Sequence, residues 1–143
     1  MPSTDITELT ERLSREPISI LIAEDSESNQ DLLALYFKKT SCILDFADNG
    51  SQAVEKYKAN RYDMVLMDIF MPVMDGLEAT RKIRSFEKEN NLPAVPVVAV
   101  TASAFEEDRQ QSMEAGCTAF LAKPIRKADM FQCVADTVEG LQA

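Results

Sequence analysis

The sequence predicts an α/β fold, a parallel five-stranded sheet covered by helices on both faces. Three observations predict it. Apolar runs of strand length recur at Ile18–Ala23, Tyr62–Met67, Val95–Val100 and Thr118–Ala122, with a further short one at Cys42–Ala47. Near-continuous runs of this kind suit strands buried on both faces of a parallel sheet. Segments with apolar residues at helical spacing separate them, and alternation of strand and helix marks a doubly wound sheet. Four of the runs also close on charged or hydroxyl side chains: Glu24-Asp25, Asp68, Thr101 and Lys123-Pro124. Such sheets bind ligands just beyond the carboxyl ends of their strands, so these side chains are expected to line one cleft.

Residues 1–17 are polar and acidic, with Ile6, Leu9 and Leu13 at helical spacing and Asp5 placed to cap toward Glu8. They form an N-terminal extension: either a frayed or surface-docked tail, or an extra helix used for homodimer formation or partner docking. Pro17 ends the segment. The domain proper is expected over 18–143. After the first strand, Ser26 or Ser28 can cap a helix running to about Lys39, with Leu32, Leu33, Leu35 and Tyr36 inward. The strand Cys42–Ala47 leads to a turn at Asn49-Gly50 and a helix burying Ala53, Val54 and Tyr57. The strand ending at Asp68 is followed by a loop to Asp75-Gly76. Asp75 with Glu78 starts a helix that carries Leu77, Thr80 and Ile83 on one stripe and stops near Asn90-Asn91. Leu92-Pro93-Ala94 is a breaker before the fourth strand. Ser103 can cap the next helix, which passes through Phe105 and Met113, and Gly116 is placed as its left-handed stop. Met130, Phe131, Val134, Val138 and Leu141 mark the last helix. The expected strand order is the flavodoxin-like 2-1-3-4-5.

Composition narrows the function. The chain has 143 residues, the length of one domain, and 45% hydrophobic residues, enough for an ordinary core. A net charge of −9 with no basic run opposes direct contact with nucleic acid or anionic membranes. No stretch has the length of a membrane span, and residues 1–17 lack the apolar core of a signal peptide. Cys42, Cys117 and Cys133 form no metal-ligand pair, and Cys117 and Cys133 are expected to pack as small apolar residues. A reduced, cytoplasmic setting fits. There is no histidine, which removes Ser-His-Asp catalysis and zinc–histidine sites. A phosphohistidine donor would have to be another molecule.

The strand ends specify a chemistry. Three carboxylates at one edge repel unless a cation sits among them, and oxygen ligands that retain water suit Mg²⁺. One carboxylate is then free to attack phosphorus, while an ammonium and a hydroxyl bind the phosphoryl oxygens. This set would make an aspartyl phosphate.

Glu24-Asp25, Asp68, Thr101 and Lys123-Pro124, in that order, resemble the receiver domain of two-component response regulators. So do the segments Met67–Gly76 and Glu114-Ala115-Gly116. The likeness runs from Ile18 to about Leu141 and is closest in form to stand-alone, chemotaxis-regulator-like receivers. It implies that Asp68 is the phosphoacceptor and that Asp25 touches Mg²⁺ directly while Glu24 acts through water. It also implies that the backbone carbonyl of Phe70 completes the metal set. Thr101 is expected to bond a phosphoryl oxygen, Lys123 to pair with Asp68 and then the phosphoryl group, and the Lys123-Pro124 bond to be cis. Phe120 matches the switch aromatic that turns inward with Thr101. Phe70 and Ser103 occupy the positions that tune dephosphorylation. Ser103 lacks a group to orient water well and Phe70 can block its path, so slow autodephosphorylation is expected.

The resemblance implies a switch, with no turnover beyond self-phosphorylation and hydrolysis. A histidine kinase or histidine phosphotransfer protein would be the donor, and a protein target would dock on the helix after the fourth strand, the fifth strand and the last helix. A chain stopping at its last helix suggests a stand-alone regulator; a receiver fragment of a hybrid histidine kinase is the alternative. An aspartyl-phosphate phosphohydrolase would usually carry a second Asp at position 70. A flavodoxin-like electron carrier would need a Ser/Thr/Gly-rich loop where Glu24-Asp25 stands.

Overall fold

The computed structural model describes residues 6–102 and 106–142, with side chains described except those of 106 and 138–142. Five parallel strands form one sheet: β1 (Ile18–Ala23), β2 (Cys42–Ala47), β3 (Met64–Asp68), β4 (Val97–Thr101) and β5 (Ala119–Ala122), in the order β2-β1-β3-β4-β5. The helices are α1 (Ile6–Arg12), α2 (Glu27–Tyr36), α3 (Gly50–Ala59), α4 (Gly76–Glu89), α5 (Glu106–Ala115) and α6 (Lys127–Gln142). The expected fold class and strand order are both present. The central strands β3 and β4 are buried along their whole length, as their unbroken apolar runs require.

Two apolar layers sandwich the sheet. On one face Ala53, Val54 and Tyr57 of α3 and Ala79 and Ile83 of α4 pack on Leu21, Val65, Met67 and Ala99. On the other, Leu33 of α2 and Met130, Phe131 and Val134 of α6 pack on Ile20, Ile22, Leu66 and Val98. Successive strand residues point to opposite faces, so each strand feeds both layers.

Several boundaries differ from the expected ones. β3 starts at Met64, two residues late: Tyr62 sends its hydroxyl to Asp45 (2.6 Å) and the carboxylate of Asp63 accepts from Ser19 N–H (2.7 Å). β4 starts at Val97, because Pro96 has no N–H to donate and the N–H of Val95 goes to Glu87 (2.7 Å). The hydroxyl of Thr118 accepts from Val97 N–H, and β5 begins one residue later.

Helix α2 is capped by Ser26, whose hydroxyl accepts from Asn29 N–H, but it stops at Tyr36 rather than Lys39. There the hydroxyl of Thr40 takes the Phe37 carbonyl (2.7 Å), a local bond that competes with helix continuation. The inward stripe is Leu33, Tyr36 and Phe37. Leu32 and Leu35, expected inside, are 44% and 63% exposed, because only the i+3 and i+4 neighbours of Leu33 share its face. Asn49 is the N-cap of α3 and Asp75 that of α4, each accepting from the N–H three residues on. Gly116 has φ +111° and ends α5 as expected.

The N-terminal segment is more than a surface tail. Leu9 and Leu13 are 0% and 2% exposed and pack among Phe37, Met130, Phe131 and Val134. The Leu13 carbonyl accepts from the backbone N–H of Ser41, so α1 is fastened to the segment after α2 as well as to α6. Asp5, expected as its cap, lies outside the described residues, as do Ser103 and Phe105. So do the side chains of Val138 and Leu141.

Candidate functional site

The carboxyl ends of β1, β3, β4 and β5 meet along one edge. Parallel register sets Ala23 beside Met67, Asp68 beside Val100 and Thr101 beside Ala122. The residues that close each strand therefore share a cleft: Glu24 and Asp25 after β1, Asp68 on β3, Thr101 on β4 and Lys123 after β5. Carboxylate oxygens of Glu24, Asp25 and Asp68, one from each, lie within 4.8 Å of one another. Glu24 and Asp68 are each 4% exposed, while Asp25 is open to solvent.

Lys123 ties this cluster together. Its Nζ donates to Asp68 Oδ2 at 2.8 Å and to Glu24 Oε2 at 3.3 Å. Its backbone N–H donates to the Thr101 carbonyl at 2.7 Å, and the Lys123-Pro124 bond is cis. Burial acts to lower the Lys123 pKa, but the hydrogen bond and charge of Asp68, and then Glu24, outweigh it and hold the ammonium above its ordinary value. Asp68 Oδ1 accepts from Phe70 N–H at 3.2 Å. Glu24 Oε1 accepts from Ser26 N–H and Asn29 Nδ2 at the start of α2 (3.0 and 3.3 Å), so both of its oxygens are engaged.

Glycine closes the floor of the cleft. A Cβ on Gly76 would stand 2.2 Å from the Asp68 carbonyl oxygen, and Gly76 N–H donates to Ile69 O. The 69–75 loop can fold back beside Asp68 only because α4 begins with a residue that has no side chain. The same loop contains a feature the sequence did not announce. Val73 has φ +70° and the N–H of Met74 reaches the Pro72 carbonyl at 2.7 Å, a tight three-residue turn that strains a β-branched residue. Phe70 and Val73 stand at the rim, 65% and 84% exposed. Thr101 is fully buried, and Phe120, opposite Ala99 on β5, is half-buried against the α3–α4 layer.

The donor set fits a hard divalent cation. Three carboxylates beside one ammonium leave a surplus of negative charge in a largely buried place, every donor is oxygen, and exposed Asp25 leaves an entrance. The sequence-predicted residues Glu24, Asp25, Asp68, Thr101 and Lys123 are thus brought together. Sequence reasoning missed how they are held: the Lys123–Thr101 backbone bond and the grip of the α2 N-terminus on Glu24. Ser26 as a cap was the only signal of the latter.

Comparison with known proteins agrees with this geometry. Residues 20–135 match the family model of the response regulator receiver domain. The chain is 39% identical over 116 residues to hybrid signal transduction histidine kinase A of Dictyostelium discoideum, covering 80% of this chain and 5% of that protein. It is 34% identical to the response regulator mcs4 of Schizosaccharomyces pombe, covering 76% of this chain and 25% of that one. It therefore spans only a small part of the length of these relatives. Among solved structures it resembles the receiver domain of the Saccharomyces cerevisiae response regulator Ssk1, crystallised with the histidine phosphotransfer protein Ypd1. The TM-score is 0.81 with 31% identity, over 84% of this chain and 88% of that one. It also resembles the receiver domain of a Pseudomonas aeruginosa sensor histidine kinase with magnesium coordinated in its active-site cleft. There the TM-score is 0.77 with 33% identity, over 87% and 99% of the two chains. This chain belongs to the response regulator receiver domain family.

Proposed function

We propose that the protein is a phosphorylation-dependent signalling switch that takes a phosphoryl group on Asp68 from a histidine kinase or histidine phosphotransfer protein. The observation that carries this reading is the Lys123 Nζ to Asp68 Oδ2 contact of 2.8 Å inside a cluster of three carboxylates. Lys123 positions one oxygen of Asp68 and Phe70 N–H the other, which holds the carboxylate in one orientation. Asp68 attacks phosphorus in line; its O–P bond forms as the P–N bond of the donor phosphohistidine breaks, and the imidazole leaves. Lys123 then follows the charge onto the phosphoryl oxygens, and the Thr101 hydroxyl bonds another of them.

Asp25, Asp68 and the carbonyl of Phe70 would hold Mg²⁺ directly. Glu24 would act through water. When bound, Mg²⁺ supplies positive charge against the phosphoryl oxygens. The shift of Thr101 would be read by Phe120, whose half-buried ring has the core on one side and solvent on the other. Output would pass to a protein target on α5, β5 and α6. The family is represented among the relatives both by separate response regulators and by hybrid kinases, and the cleft chemistry serves either setting.

Phe70, exposed at the rim, is assigned with Ser103 the tuning of the attacking water, with slow autodephosphorylation as the consequence. A Phe70→Asn, Ser103→Glu double variant should lose its phosphoryl group faster than the wild type; equal lifetimes would remove that assignment. Transfer itself is tested with a phosphorylated histidine phosphotransfer protein: label should move to the wild type and not to Asp68→Asn. Equal label on both would place the acceptor elsewhere.

A further inference from the structure

The opposite edge of the sheet carries a second concave surface that the phosphoryl chemistry does not use. A half-open groove of about 670 Å³ lies between the end of α3, the 60–63 loop, Phe86 of α4 and the 92–96 loop. It precedes β3 and β4, whereas Asp68 and Thr101 end them, so roughly 16 Å of strand separates groove from cleft. That volume is in the range of ligand sites.

Its floor is aromatic and apolar, with Tyr57, Tyr62, Phe86 and Val95 contributing. Both tyrosine hydroxyls are already committed, Tyr57 to Glu87 and Tyr62 to Asp45, each at 2.6 Å. An occupant would therefore meet ring carbon rather than hydroxyl. Leu92, 39% exposed, adds an apolar lip.

The charges on the lining have an uneven sign. Lys58 and Arg61 are exposed and make no ion pair among the described residues; Lys58 Nζ sits 5.8 Å above the Phe86 ring. Asp63 is the one acid on the lining among the described residues, and its Oδ2 accepts the Ser19 N–H. On a chain of net charge −9, this is an apolar groove with a positive rim. We infer that the groove between α3 and the 92–96 loop docks an acidic peptide segment of a partner protein, its apolar or aromatic side chains on Tyr57, Tyr62 and Phe86 and its carboxylates on Lys58 and Arg61. An extended segment suits a groove open along one side, and paired charges select it over basic segments.

The test is a ¹⁵N–¹H NMR titration of the full chain with short synthetic peptides that mix Glu with Leu, Tyr and Pro, beside versions with Lys in place of Glu. Saturable shifts should appear at 57–63 and at Leu92, Ala94 and Val95 with the Glu peptides only. A Lys58→Glu, Arg61→Glu variant should bind them about tenfold more weakly while keeping its own spectrum. Four results would overturn the inference: no groove shifts with any Glu peptide, equal shifts with the Lys peptides, groove shifts that grow with protein concentration alone, or groove shifts with anionic phospholipid vesicles and not with peptide. Asp68→Asn should bind the peptides like the wild type, so failure here is separable from failure of the phosphorylation reading.

Discussion

Two buried carboxylate clusters occupy opposite ends of this sheet, and they are built on different principles. Glu87 on α4 is 3% exposed, and every contact it makes is balanced. Oε2 accepts from Tyr57 and from Val95 N–H at 2.6 and 2.7 Å, and Oε1 pairs with Arg84 at 2.8 Å. Arg84 in turn donates twice to the Gly116 carbonyl. One acid meets one cation and two neutral donors, and the result fastens α3, α4, the entry to β4 and the end of α5 together. In the cleft, Asp68 is as deeply buried, yet it shares a single ammonium with Glu24 while Asp25 adds a third charge. A carboxylate that holds a fold is saturated. A carboxylate that does chemistry is left short of positive charge, and a cation and a phosphoryl group can complete it.

The largest expected contrast is functional. Asp68→Asn should abolish phosphoryl uptake and leave the fold intact, whereas Glu87→Ala should weaken the fold and leave uptake by the folded molecules unchanged. Removing Glu87 strands the Arg84 charge and the Tyr57 and Val95 donors, so unfolding free energy from urea titration should fall by roughly 3–5 kcal/mol. A Glu87→Ala protein of wild-type stability would show that the network is idle. Leu9→Ala, which empties a site in the α1–α6 contact, should cost about 2–4 kcal/mol. A loss below about 0.5 kcal/mol would return α1 to the status of a surface tail.

Mg²⁺ should separate the two clusters next. At a hundredfold excess over its dissociation constant it should stabilise the wild type by about 2.7 kcal/mol, and Asp25→Asn by much less, in thermal melts. Equal stabilisation of both would remove Asp25 from the metal set. The smallest effect is a pH dependence at the Glu87 end. Burial first, and then the hydrogen bond and charge of Glu87, push the Tyr57 hydroxyl well above its usual range. Because the folded value is raised, its contribution is fully present below about pH 10 and is lost as pH climbs toward the folded value. Wild-type stability should therefore fall above pH 10 more steeply than that of Tyr57→Phe. Parallel curves would contradict the assignment.

Most of the cleft was legible because four of the five strand runs close on its residues, and parallel strands bring such ends together without help from any other contact. The Glu87 cluster was not legible. In Phe86-Glu87-Lys88-Glu89-Asn90 the acid looks like one more charge on a solvated helix end. Arg84 stands one turn before it, but its other partners come from Tyr57 on α3 and Val95 in the segment before β4, and no sequence spacing encodes that meeting. Residues 6–13 fall between these cases. The Ile6, Leu9, Leu13 stripe was visible, but its burial depends on a groove formed by the end of α2 and by α6, whose residues lie far along the chain. Leu32 and Leu35 mislead in the other direction, since four apolar residues on α2 exceed what one stripe can bury.

The central claim is that the cleft, and not the saturated cluster, is the reactive one. Intact mass after incubation with acetyl phosphate, with and without Mg²⁺, tests it on the wild type, Asp68→Asn and Glu87→Gln. The account predicts one added phosphoryl group, dependent on Mg²⁺, in the wild type and in Glu87→Gln, and none in Asp68→Asn. No gain in folded wild-type protein with Mg²⁺ present, or an equal gain in Asp68→Asn, would contradict it.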